Sequence, residues 1–201
     1  MAVRSFKTSS ISTGAKRSKF WDQSAVLSNA SFESIATVTV PAGGQSSIYF
    51  GSIPGTYKHL QIRGIYRDTW TAAGVGELYL FPNSDTTTSY SSHWLTGNGS
   101  TAVASSLTSR SDGMFLGQGV RGGSLGSSFG AFVIDIPDYA STSKYKTARA
   151  IAGADINAAG GGAVIQSASW QKTNAISSLN ITPNGTGFAQ HTTIALYGIK
   201  G

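Results

Sequence analysis

From residue 32 onward, apolar and polar residues alternate in short runs, each cut by glycine, proline or a small polar cluster. A period of two puts successive side chains on opposite faces of a strand, and runs this brief leave no room for long helices. In ESIATVTV, Ile35, Thr37 and Thr39 fall on one face and Ala36, Val38 and Val40 on the other, before PAGG turns the chain. SSIYFGSI sets Ile48 and Phe50 in step, PGTY interrupts, and HLQIRGIYRD places Leu60, Ile62, Gly64 and Tyr66 against Gln61, Arg63, Ile65 and Arg67. GELYLFP, SSHWLTG, GMFLGQG, SFGAFVIDIP, YKTARAIAGADI, GAVIQSASWQ, AISSLNITP and TTIALYGIK read as further strands, and DYASTSKYKT has room for one helical turn at most. About ten strands at this spacing predict an all-β fold, an antiparallel β-sandwich of jelly-roll-like form, over residues 32–201.

Residues 1–31 follow a different rule. They hold Arg4, Lys7, Lys16, Arg17 and Lys19 against one acidic residue, Asp22, whereas the other 170 residues carry ten basic and eight acidic side chains. The net charge of +6 therefore belongs mainly to a basic, extended N-terminal arm rather than to a basic domain. Charge alone suits phosphate, an acidic protein surface or plain solvation. Phe20 and Trp21 tilt the reading toward a docked arm, because aromatic side chains are costly to leave bare and favoured as interface anchors.

Only 12% of residues are charged, glycine numbers 25 and cysteine is absent, which excludes a disulfide framework and suits a turn-rich domain with a Ser/Thr surface. MAVRSFKTSS lacks an apolar signal core, and no apolar run approaches the roughly 20 residues needed to span a bilayer. The expectation is a protein made in the cytoplasm, without membrane insertion and without a nucleic-acid partner.

Several strings imitate catalytic motifs. GQGVRG at Gly117–Gly122 matches the dinucleotide fingerprint, yet no helix pattern follows to meet a pyrophosphate, and a flexible loop is the simpler reading. GGSLG around Ser124 lacks the strand-to-helix turn of a nucleophile elbow. His59, His93 and His191 lie in separate strands without ligand spacing, so no metal and no cofactor are expected. Asp135 and Asp138, the closest acidic pair, flank a proline as a strand end and its turn do. No enzyme chemistry is expected.

Carbohydrate binding is harder to dismiss. Trp70 and Trp94 adjoin turn-like sequence, and with Tyr90 and His93 they form a candidate glycan contact, for which the Gly/Ser-rich segment 100–128 would supply an adaptable rim. Core packing is the competing reading for each tryptophan, and Trp170 is assigned to the core or to a subunit interface.

The stretch FESIATVTVPAGGQSSIYFGSIPGTYKHLQIRGIYRD, then YASTSKYKTARAIAGAD and IALYGIKG, resembles virion structural proteins of tailed bacteriophages, especially tail-fibre or head-fibre proteins of phages infecting cyanobacteria and other bacteria. MAVRSFKTSSISTGAKRSKFWDQ is similar to the arms that anchor such proteins to the particle. The resemblance implies a homotrimeric, jelly-roll-like β domain located on the virion, with no cofactor, attached to tail, portal-region or capsid proteins through the arm. Its β domain would meet a host-surface glycan; a capsid decoration protein bracing the lattice is the alternative.

Overall fold

The computed structural model describes residues 31–157, 161–184 and 187–201, so the seven candidate anchoring residues Arg4, Lys7, Lys16, Arg17, Lys19, Phe20 and Trp21 lie outside the described residues. Twelve strands follow one another: β1 (Phe32–Thr39), β2 (Ile48–Phe50), β3 (His59–Tyr66), β4 (Val75–Pro82), β5 (Tyr90–Gly97), β6 (Ala102–Arg110), β7 (Met114–Val120), β8 (Gly130–Pro137), β9 (Lys146–Ala154), β10 (Gly162–Trp170), β11 (Leu179–Pro183) and β12 (Thr193–Ile199). No helix occurs among the described residues, and DYASTSKYKT is a turn and a bend that lead into β9 rather than a helical turn. Asp138 there takes a φ of +48°, a left-handed conformation incompatible with continuing a right-handed helix.

The strands make two sheets, one of eight in the order β1-β12-β3-β8-β9-β10-β5-β6 and one of four in the order β2-β11-β4-β7. Their inner faces carry the alternation legible in the sequence. Leu60, Ile62, Phe132, Ile134, Val164 and Trp170 of the large sheet pack against Ile48, Phe50, Leu78, Leu80, Leu116 and Ile181 of the small one. This is the expected β-sandwich.

Strand β7 is buried along both faces although it is the edge of the small sheet. It comes within 8 Å, Cα to Cα, of β8, β9 and β10, closer than the roughly 10 Å that separates ordinary stacked sheets. Side-chain size explains this. Along the inner face of β9, which begins at the buried Lys146, stand Ala148, Ala150, Ala152 and Ala154, and these small side chains leave space for another backbone. At Gly119 a Cβ would lie 2.4 Å from the Tyr66 ring, and at Gly130 one would lie 2.5 Å from the Gly119 Cα. GQGVRG is therefore mostly strand β7, with its glycines spent on close packing, and is not the flexible loop its composition suggests.

Candidate functional site

Register places the C-terminal end of β3 beside the start of β8, and through β9 and β10 beside the end of β5. Residues 67–74 after β3, residues 121–129 after β7 and the β5–β6 turn thus share one end of the sandwich. At this end the polar groups converge on two neighbours, Arg67 and Asp68.

Arg67 reaches across to the glycine- and serine-rich loop and donates to four carbonyls, those of Gly122, Ser124, Leu125 and Ser128. Asp68 is buried, and its Oδ1 accepts the Trp70 N–H at 2.8 Å and the Gly122 N–H at 3.2 Å. Burial pushes the Asp68 carboxyl above its ordinary range, and these two N–H groups oppose the shift. Ser124 Oγ joins the loops by donating to the Gly74 carbonyl at 3.0 Å while accepting the Gly74 N–H at 2.8 Å. The hydroxyl in the nucleophile-like string is thus a structural tie.

Trp70 is held on this frame. Its carbonyl accepts the Gly123 N–H at 2.8 Å, and the Arg121 guanidinium lies 4.9 Å from its ring centroid. The side chain nevertheless stays 36% exposed. An aromatic ring fixed beside a cation and backbone polar groups can stack on an apolar ring face while neighbouring donors meet hydroxyls.

The other three candidate glycan residues do not join it. Tyr90 lies at the opposite end of the strands, in register with Trp170, fully buried with its hydroxyl donating to the Asp85 carbonyl at 2.6 Å. The serine-rich sequence around Tyr90 concealed an inward-facing strand position, and a ring without exposed surface offers nothing to a ligand. Trp94 is half-buried against the core and meets Phe115 edge-on at 5.2 Å. His93, the adjacent residue, points to the other face of the sheet and is exposed. Nor is 100–128 one adaptable rim, since β6 and β7 occupy most of it and Arg67 ties down the remaining loop.

The remaining polar candidates have structural partners. Asp135 accepts from Gln61 Nε2 at 2.7 Å and from Arg149 Nε at 3.3 Å. Asp138 bridges Lys58 at 3.0 Å and Lys144 at 2.6 Å, and these cations hold its carboxyl down at about 2. His59 Nδ1 accepts the Asp138 N–H at 3.1 Å. Among the described residues no three His, Asp or Glu side chains gather as a metal site. Trp170 is core, 2% exposed, its indole N–H donating to Asp85 Oδ2 at 2.7 Å.

Sequence reasoning missed Arg67 and Asp68 as organisers of this end. The available signal was the abrupt RD after an alternating run, followed two residues on by a backbone N–H that an aspartate can cap. Comparison with protein-family models, curated proteins and solved structures finds no match.

Proposed function

We propose that this chain is a non-enzymatic structural protein of a bacteriophage virion, a fibre or adhesin module that docks through residues 1–31 and presents the loop end of its sandwich to a host glycan. The observation that carries the binding part of this reading is Trp70, braced by Arg121 and Asp68 yet more than a third exposed. A ring fixed before its ligand arrives loses little conformational entropy on binding. The basic, aromatic-bearing arm and the resemblance to fibre proteins support the docking part. The charge-poor strands support assembly with further copies of itself.

Two phage variants test the reading. Deleting residues 1–31 is expected to abolish incorporation into particles while the β domain stays soluble, and normal incorporation would remove the anchor role. Trp70→Ala is expected to lower adsorption to host cells at least tenfold with particle composition unchanged, and wild-type adsorption would remove the glycan site. Protein stoichiometry in purified virions separates a fibre, present in a few to tens of copies, from a decoration protein whose abundance follows the major capsid protein.

A further inference from the structure

The outer face of the eight-stranded sheet carries more apolar side chain than solvent exposure accounts for. Strand register aligns Arg63, Val133, Ile151, Ile165 and Leu95 in one row straight across five strands, with Ala195 and Ala104 at its two ends. Ile151 is 67% exposed, Ile165 60% and Leu95 51%. Single exposed apolar residues are ordinary, but large ones in register on neighbouring strands form a continuous patch. The next row toward the loop end, Ile65, Ala131, Gly153, Ala163 and Gly97, has no charge and, Ile65 apart, only small side chains.

The charges that border this apolar row are locally paired. The single cation of the apolar row, Arg63, donates through Nε to Gln61 and lies 6.0 Å from the Tyr197 ring centroid. Gln61 and Tyr197 belong to the polar row on the far side, and these contacts draw the guanidinium toward that row while its methylene stem lies along the apolar one. In that polar row Asp135 and Arg149 form an ion pair at 3.3 Å.

We propose that this face packs against the same face of a second copy of the chain. The inference deepens the self-assembly part of the reading above and rests on it. Size is the first argument: with strands about 4.8 Å apart and rows about 6.7 Å apart, the seven-residue apolar row and its five-residue uncharged neighbour cover about 400 Å² of sheet, half of the roughly 800 Å² that one partner contributes to a standard interface, and the polar row beside them supplies a rim. Symmetry is the second. A two-fold contact must be complementary to itself, with residue i opposite j and j opposite i. Ile151 is the middle of the row, Val133 and Ile165 flank it, and alanines close both ends. Reversed about Ile151, the row sets Val133 against Ile165, and the Arg63 stem against Leu95. A glycine- and alanine-rich neighbouring row permits the close approach that stacked sheets require.

The test is the mass of the full-length purified chain by light scattering and sedimentation, with Ile151→Asp and Ile165→Lys as disrupting variants. Tyr49→Asp, which removes an equally exposed apolar side chain from the small sheet, is the control. The wild type and control are expected to be dimers or higher even-numbered assemblies at micromolar concentration. Both disrupting variants are expected to raise the dissociation constant at least a hundredfold with β-sheet circular dichroism unchanged. A monomeric wild type, which is what a foreign partner for this face would leave, overturns self-assembly itself. An odd-numbered assembly, or one whose mass survives both substitutions, leaves self-assembly standing and overturns this pairing.

Discussion

Trp94 and Trp70 look alike in sequence, each an aromatic in a Ser/Thr neighbourhood, and the fold gives them opposite duties. Trp94 fills space against Phe115. Trp94→Ala should therefore cost about 3 kcal/mol, the lower end for a large aromatic because the ring is only half-buried, and chemical denaturation would read it. Adsorption by the surviving folded fraction should equal the wild type. Asp138 belongs to the same scale. Its two lysines depress its pKa to about 2 from an unfolded value near 4. A depressed carboxylate stabilises the fold above the unfolded value, and that contribution disappears as pH falls from about 4 through about 2. Thermal melts of the wild type should decline through that window, and Asp138→Asn should flatten part of the decline while retaining the left-handed backbone that asparagine tolerates. The contribution is small because the group faces water. A sequence shows neither assignment, since exposure at one strand position depends on which sheet lies opposite.

At the scale of elements the alternating runs were legible because burial on one face writes itself into the chain with period two. Eleven stretches read as strands contain strands. The exception is β6, AVASSLTSR, where no regular face is buried and the strand is held at the sheet edge by backbone pairing with β5. Nothing in such a segment alternates for burial's sake, so periodicity has nothing to report. In β7 two readings overlap: GMFLGQG reads as a strand, whereas GQGVRG, which shares its last three residues, reads as a loop because its glycines advertise one where they permit packing. Gly119→Ala should accordingly cost at least 1–3 kcal/mol through overpacking against the Tyr66 ring. Gly126→Ala, with open space around its Cβ, should stay within about 0.5 kcal/mol in the same urea titration.

For the whole molecule, residues Glu33–Gly201 form one compact unit, and the strand order within it has a consequence for how the chain is made. Strands β1 and β3 are early in the sequence, yet β12 lies hydrogen-bonded between them. A ribosome delivering this chain thus leaves β1 without any sheet partner and β3 without one of its two until residues 193–199 emerge. Until then β3 presents an unpaired edge to any extended neighbour, and long-range pairings of this kind form slowly. Removing residues 193–201 should leave the product largely in the insoluble fraction on expression, and recovery of a soluble, cooperatively melting fragment would contradict this. The same bare edge suits rescue in trans: a free peptide of residues 190–201, supplied during refolding of the shortened chain, is the natural partner of β3 and should return the chain to solution.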